Sequence, residues 1–330
     1  MEIAKAVVLA GACSGPTPWP SVGFAARQLA PVANRPVLFH HLDALMAAGI
    51  RQAALVTDAT TSACIRDAVG DGREWGLELT HLEHGGDLDV LTSPAMEDFV
   101  AAEPVLVHHS DVLLQERLAA LAKDFNDQAL DALILRPGAE SEGRPATAPA
   151  GYLIGPDILS RLRRDLVPLD ELLRRMGAKG ARIGVCEVDA CMPCRGGAAQ
   201  LLEANRRMLH QLSPGPRGER VFDSQIHGPV ALHPSAEVRD SIIRGPVAIG
   251  PGTRITNAYI GPYTSIGSGA QIDCAEIEYS IILDRAEIRF LASRIEGSLI
   301  GAGACVSRDF NFPRALRLFI GEGASVALAV

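Results

Sequence analysis

The residues that could do chemistry in this chain come just after apolar segments. Residues 4–10 read as a buried strand that runs into Gly11, and the basic residue Arg27 precedes a helix-forming stretch that begins at Pro36. A strand that leads through a glycine turn into a helix is typical of nucleotide-binding α/β domains, because backbone N–H groups at such a turn can hold phosphate. The pattern therefore indicates binding of a phosphorylated ligand.

The turn between these segments is poorly equipped for that task. Residues 12–26 contain no Lys or Arg, and they include Pro16, Pro18 and Pro20. A phosphate loop presents cations and backbone N–H donors to an anion, and every proline removes one donor. The sequence thus predicts a nucleotide-binding scaffold whose phosphate loop has lost much of its binding capacity.

A second polar group follows another apolar run. Residues 104–109 read as a strand that runs into Ser110 and Asp111. Ligands of open α/β sheets bind beyond the carboxyl ends of the strands, so Asp111 is a candidate binding residue, with a strand-end cap as the alternative. Because side chains alternate along a strand, His108 and His109 are expected on opposite faces, and at most one of them can join Asp111.

Cysteine usage allows two interpretations. Cys191 and Cys194 form a C-x-x-C pair, which occurs in redox and zinc sites, but zinc needs four ligands and only Cys186 lies near the pair in the sequence. We favour the alternative of two ordinary thiols. The seven scattered cysteines suit free thiols in a reducing cytoplasm.

The composition excludes several classes of function. The 330 residues carry a net charge of −8, which argues against nucleic acid or an anionic membrane as a partner, since both require a basic face. No apolar run reaches the roughly 20 residues of a membrane-spanning helix, and the N-terminal residues lack the pattern of a signal peptide. We predict a cytoplasmic, soluble protein.

The character of the chain changes near residue 213. Up to residue 212, strand and helix candidates alternate, which predicts an α/β domain with a Rossmann-like, mostly parallel sheet. The predicted strands lie at 4–10, 53–58, 77–82, 104–109, 132–135 and 151–154, and the predicted helices at 36–49, 169–176 and 200–211. Residues 213–220, rich in Pro and Gly, are predicted to be a linker to a second domain at 221–330.

The second domain carries a six-residue repeat. Branched residues recur six apart, as at Ile260, Ile266 and Ile272, and turn phrases such as residues 249–252 and 266–269 repeat one formula. This repeat predicts a left-handed hexapeptide-repeat β-helix, in which stacked triangular coils bury a column of branched side chains. The flat faces of such a helix favour oligomers, so we also predict a homo-oligomer.

Several segments together carry a family resemblance: residues 8–11, 27–39, 110–114, 201–206 and the coil phrase 259–267. The chain resembles the sugar-1-phosphate nucleotidyltransferases, and most closely the long-form glucose-1-phosphate thymidylyltransferases. The resemblance implies in-line attack of a sugar-1-phosphate oxygen on the α-phosphorus of a nucleoside triphosphate. In this family Mg²⁺ and basic residues neutralise charge while pyrophosphate leaves.

The resemblance also implies roles for individual residues. Arg27 and Asp111 are the catalytic candidates, and Asp111 is also the candidate Mg²⁺ ligand. The residues implied to bind the nucleotide are Leu9, Ala10, Gly11, Gly15 and Gln28.

The family pattern is broken at four places. Thr17 occupies the position of the loop Arg that grips the triphosphate, and Cys194 occupies that of a second metal-binding Asp. The Glu-Lys-Pro segment that holds the sugar phosphate has no counterpart, because the chain at 137–149 is too short. The Gly-rich stretch on the nucleobase side is altered at residues 88–92.

These features leave three hypotheses. The first is a divergent, weakly active nucleotidyltransferase that uses Mg²⁺, a nucleoside triphosphate and a sugar-1-phosphate or analogue. The second, slightly favoured by the missing cations, is a pseudoenzyme that binds a nucleotide or a protein partner as a regulatory or scaffold subunit. The third is an acyltransferase of the β-helix, for which only His227 and His233 lie in the first coils.

Overall fold

The structure is a computed structural model that describes residues 3–11, 26–84, 88–114, 118–138, 149–191, 197–213, 215 and 219–308. The described residues form two compact units. The first contains residues 3–11, 26–29 and 36–191, and the second contains residues 30–35 and 197–308. This division differs from the predicted domain boundary at residue 212, because the helix near residues 200–211 lies with the second unit.

The described residues of the first unit form a seven-stranded sheet. Its strands in chain order are β1 (Lys5–Leu9), β2 (Gln52–Thr57), β3 (Glu78–Glu83), β4 (Val105–His109), β5 (Ala132–Pro137), β6 (Gly151–Ile154) and β7 (Ile183–Val188). Across the sheet they are ordered β7-β5-β6-β4-β1-β2-β3. All neighbours are parallel except β6, which is antiparallel to β4 and β5. The predicted mostly parallel α/β sheet is confirmed.

Helices cover this sheet. Those of the described first unit are α1 (Val37–Ala47), α2 (Ser62–Val69), α3 (Pro94–Val100), α4 (Leu118–Asp127), α5 (Pro156–Asp165) and α6 (Leu169–Gly177). Shorter elements of the first unit are 3₁₀ turns at Arg27–Leu29, Arg73–Trp75 and Leu88–Thr92, and two-residue strands at Leu113–Leu114 and Ala190–Cys191. Two more short strands, Pro31–Val32 and Arg35–Pro36, pair with each other and lie in or next to residues 30–35 of the second unit. Among the described residues, no helix combines the length and apolarity needed to cross a membrane.

Alternation along the strands divides the core of this unit into two layers. Val8 and Leu106 belong to the layer that contains the buried side chains of α1, α2 and α4. Val7 and Val107 belong to the layer of α3, α5 and α6. Full burial of such a side chain contributes about 1.5–3 kcal/mol, so packing on both faces fixes the register of the central strands.

The described part of the second unit contains three parallel sheets. The first sheet contains Val221–Phe222, Glu237–Arg239, Arg254–Thr256, Gln271–Asp273, Glu287–Arg289 and Cys305–Ser307. The second contains Gln225–His227, Ile242–Arg244, Tyr259–Ile260, Glu276–Glu278 and Ile295–Glu296. The third contains Val230–Leu232, Val247–Ile249, Thr264–Ile266, Ile281–Ile282 and Leu299–Ile300. Ile243, Ile260 and Ile277 pair in register and are fully buried, as expected of stacked coils. The predicted left-handed β-helix is confirmed, and equivalent positions of these coils are 17 residues apart in the sequence.

Helix α7 (Ala198–His210) packs on the third of these sheets. Its fully buried Asn205 accepts hydrogen bonds at Oδ1 from the Ala33 N–H at 2.8 Å and from the Ser265 hydroxyl at 2.5 Å. The Asn205 Nδ2 donates to the Tyr263 carbonyl at 3.2 Å. These hydrogen bonds hold α7 and residues 30–35 against the coil, which explains why both lie in the second unit.

Two threonines of the coils form a matched pair for a stability test. Thr253 and Thr264 are both fully buried. The Thr253 hydroxyl donates to the Gly267 carbonyl at 2.6 Å, whereas the Thr264 hydroxyl has no hydrogen-bond partner among the described residues. We expect Thr264→Val to raise the free energy of unfolding in urea by about 1 kcal/mol and Thr253→Val to lower it by about as much. Equal destabilisation by both variants would contradict this assignment.

Candidate functional site

Strands β1 and β4 end side by side at the centre of the sheet. Leu9 pairs with His109, and the Ser110 N–H donates to the Leu9 carbonyl at 3.0 Å. The chain after β1 is tied to the next strand as well, because the Ala10 N–H donates to the Val56 carbonyl at 2.7 Å. Since open α/β sheets bind ligands beyond the carboxyl ends of their strands, this edge is the candidate site.

Asp111 lies in the turn that follows β4. Its side chain is 3% exposed, and the Val112 N–H closes the turn on the His109 carbonyl at 3.2 Å. A buried carboxylate is unfavourable unless polar or charged groups stabilise it. Its position at a strand end makes it suited to hold a cation that accompanies an anionic ligand.

His41 contacts this turn from helix α1. Its Nε2 lies 2.9 Å from the Ser110 carbonyl, and its ring packs against His108 with 4.8 Å between the ring centroids. Burial lowers the pKa of His41 from 6.5 to about 4, although the hydrogen bond to Ser110 acts in the opposite direction. The imidazole is therefore neutral at pH 7, and Nε2 carries its proton because a carbonyl can only accept.

This shifted pKa predicts a pH-dependent stability. Between the folded pKa of about 4 and the ordinary value of 6.5, the unfolded chain binds a proton at His41 that the folded protein does not. The free energy of unfolding should therefore rise by about 3 kcal/mol as pH increases across this window, and it should fall by the same amount as pH decreases. Urea unfolding between pH 4 and pH 7 should show a steeper rise for the wild type than for His41→Gln, because residue 41 of the variant cannot titrate while the other titrating groups are unchanged. Parallel curves for the two proteins would contradict it.

Gln28 lies at the end of β1. Its Nε2 donates to the Gly11 carbonyl at 3.0 Å, and its side chain is buried. The Gln28 Oε1 and the Ser110 Oγ are both buried, and neither has a hydrogen-bond partner in the described part of the chain. Together with the Asp111 carboxylate, this edge therefore has two oxygen atoms, Gln28 Oε1 and Ser110 Oγ, that make no hydrogen bond to the described residues. Mg²⁺ prefers oxygen ligands and is commonly held by one or two carboxylates together with substrate phosphates, so these residues fit a Mg²⁺–nucleotide.

A cavity of about 610 Å³ opens beside His109. It is bordered by the turn Leu88–Thr92 and by side chains of α5 and α6, among them Leu162 and Asp170. The buried hydroxyl of Tyr152 donates to Asp170 Oδ1 at 2.8 Å and fixes this carboxylate. The volume lies within the range of roughly 300–1,000 Å³ that is typical of small-molecule pockets.

The structure brings most of the predicted site residues to one edge of the sheet. Those that it places at the ends of β1 and β4 are Leu9, Ala10, Gly11, Gln28 and Asp111. Arg27 begins the 3₁₀ turn Arg27–Leu29 with a half-buried side chain. Gly15, Thr17 and Cys194 lie outside the described residues, as does the side chain of Cys191, so their roles stay predictions.

The two neighbouring histidines lie on opposite faces, as predicted. His108 packs against His41 on the α1 side, whereas His109 borders the cavity on the side of α5 and α6. Across the described ranges, no group of three or more His, Cys, Asp or Glu residues is arranged to hold a metal. A Mg²⁺ site here would therefore depend on ligand phosphates in addition to Asp111.

Sequence reasoning missed His41. The apolar stripe of α1 comprises Leu38, Leu42 and Leu45, and His41 falls within it at helical spacing. A histidine in an apolar stripe must find a hydrogen-bond partner, which is the signal that could have identified it. The cavity was missed as well, because it is assembled from segments far apart in the sequence.

Comparison with known proteins gives consistent matches. The family model described as nucleotidyl transferase matches residues 5–143. The glucose-1-phosphate thymidylyltransferase of Streptomyces antibioticus is 30% identical, and the match covers 98% of this chain and 99% of that protein. The low-salt glycan biosynthesis nucleotidyltransferase Agl11 of Haloferax volcanii is 28% identical, over 98% of this chain and all of that protein.

A solved structure supports the fold alone. The crystal structure of a protein described as a glucose-1-phosphate thymidylyltransferase from Bacillus anthracis, in complex with a sucrose, superimposes with a TM-score of 0.52. The two sequences are 18% identical, and the match covers 64% of this chain and 97% of that one.

Proposed function

Because this chain belongs to the sugar-1-phosphate nucleotidyltransferase family, we propose that it binds a nucleoside triphosphate with Mg²⁺ beside Asp111 and transfers the nucleotidyl group slowly to a sugar-1-phosphate. The observation that carries this proposal is the buried Asp111 carboxylate on a turn tied by hydrogen bonds to the end of β1. Gln28 Oε1 and Ser110 Oγ, which make no hydrogen bond to the described residues, lie at the same edge of the sheet.

Each group has a part in the proposed reaction. An oxygen of the sugar phosphate attacks the α-phosphorus, and the bond to pyrophosphate breaks as the new P–O bond forms. Mg²⁺, when bound, neutralises charge on the phosphates. Asp111 would hold the metal–nucleotide, Gln28 would orient it, and the cavity beside His109, which residues 88–92 border, would accommodate the nucleobase.

The rate is expected to be low because charged groups are missing from the sequence. The family resemblance implies that Thr17 and Cys194 stand where other members have an Arg and an Asp. Removal of one electrostatic contact in an active site typically lowers turnover by about 10²–10³-fold. The chain therefore retains a binding edge with fewer means of stabilising a leaving pyrophosphate.

Pyrophosphate release tests this proposal. The protein is incubated with Mg²⁺, each common nucleoside triphosphate and a panel of sugar-1-phosphates, and pyrophosphate is measured over long times. Release that requires both substrates supports slow transfer. No release in any combination, from protein shown to be folded by circular dichroism, contradicts it.

A second candidate is a nucleotide-binding protein without turnover, which the changes at Thr17 and Cys194 also favour. Calorimetry would then show Mg²⁺-dependent nucleotide binding while no pyrophosphate appears. A regulatory or scaffold role of this kind, like the homo-oligomer predicted from the β-helix, would be tested by the protein's mass in solution and by that of its complexes.

A further inference from the structure

We propose that His41 is a positioning residue for Asp111: it holds the Ser110 carbonyl, and thereby the turn that carries the Asp111 carboxylate, in the geometry that binds Mg²⁺. The proposal rests on the proposed function, because that function assigns the metal–nucleotide to Asp111. It adds a residue of α1 that needs no contact with the ligand.

Three of the hydrogen bonds between described residues hold the turn after β4. Two of them join backbone groups, from the Ser110 N–H to Leu9 and from the Val112 N–H to His109, and form with almost any side chains. The third joins the His41 imidazole to the Ser110 carbonyl over 69 residues of sequence. Among these bonds, only the third comes from a side chain of α1, so His41 is the residue that links the Ser110 carbonyl to that helix by a hydrogen bond.

His41 is itself held firmly. It lies on the buried face of α1 between Leu38 and Leu42, and its ring packs against His108. An aliphatic residue at this position could pack on the sheet without the desolvation penalty of an imidazole. The imidazole adds a hydrogen bond to the Ser110 carbonyl, which lies next to Asp111 in the chain. Without this bond the carbonyl would lose its side-chain donor.

Loss of this donor should weaken metal binding. The His41→Phe variant keeps an aromatic ring but leaves the Ser110 carbonyl without its side-chain donor, so the turn can move. Removal of a residue that orients a metal ligand typically lowers metal affinity by about 10–100-fold. His41→Gln retains an N–H donor and should recover most of the affinity.

The test measures Mn²⁺ binding by electron paramagnetic resonance, in the presence of a β,γ-methylene nucleoside triphosphate that cannot release pyrophosphate. We expect His41→Phe to weaken Mn²⁺ binding at least about tenfold and His41→Gln to stay close to the wild type. Leu38→Ala is the matched control, because it opens a cavity under the same helix face without removing the His41 donor. If Leu38→Ala and His41→Phe weakened Mn²⁺ binding equally, His41 would contribute only through packing, and the proposal would be overturned.

Hydrogen exchange separates this proposal from the proposed function. The amides of Ser110 and Val112 should exchange faster in His41→Phe than in the wild type, with no metal present, and should be restored in His41→Gln. Unchanged exchange overturns the positioning role. Absence of Mn²⁺–nucleotide binding in the wild type overturns the proposed function, and with it the part of this proposal that concerns the metal.

Discussion

Asp111→Asn is expected to lower pyrophosphate release by about 10³-fold or more, because it removes the negative charge that would hold Mg²⁺ while it preserves the shape of the side chain. Asp111 is 3% exposed, so water cannot readily replace the missing ligand. The effect should appear as a loss of turnover together with a loss of Mn²⁺ affinity. Single-turnover kinetics at saturating nucleotide separates the two contributions.

The control for this variant is Asp98→Asn, which makes the same change in net charge on the exposed face of α3. It should leave turnover within about twofold of the wild type, since exposed charges distant from a site are largely screened. Circular dichroism must show that both variants are folded. If Asp111→Asn retained most of the activity, Asp111 would be a strand-end residue, and the metal site would lie elsewhere.

Most strands of the sheet could be predicted from the sequence, and the strand that was not predicted differs from them for a physical reason. Strands β1, β2 and β4 consist mostly of apolar residues and are largely buried, as expected of central strands that are covered on both faces. Strand β7 lies at the edge of the sheet, and most of its residues are half-buried or exposed. Its mixed sequence gave no comparable signal, and it was not predicted.

The site was predictable only where it is local in sequence. Gly11 and Asp111 come shortly after the ends of strands β1 and β4, so their place at the carboxyl edge could be inferred from the strands alone. The contact between His41 and Ser110 joins α1 to the turn after β4, and nothing within either segment specifies the partner. Periodicity identifies the buried face of a helix, but it does not identify which distant carbonyl a polar residue on that face will meet.

The largest gain in activity is expected from Thr17→Arg combined with Cys194→Asp. By the family resemblance, these changes restore a cation for the triphosphate and a second carboxylate for the metal. Each contact of this kind is typically worth about 10²–10³-fold in turnover. We expect the double variant to release pyrophosphate at least about 10²-fold faster than the wild type.

The two changes should act together rather than separately. The effects of residues that stabilise one transition state are strongly non-additive. The gains in turnover of the two single variants should therefore multiply to less than the gain of the double variant. The matched control is Thr17→Gln with Cys194→Asn, which supplies side chains of similar size without the charges and should give no gain. If the charged pair also gave none, while nucleotide affinity stayed at the wild-type value, the low activity would have to originate in the shortened segment at 137–149, where the family carries its sugar-phosphate lysine.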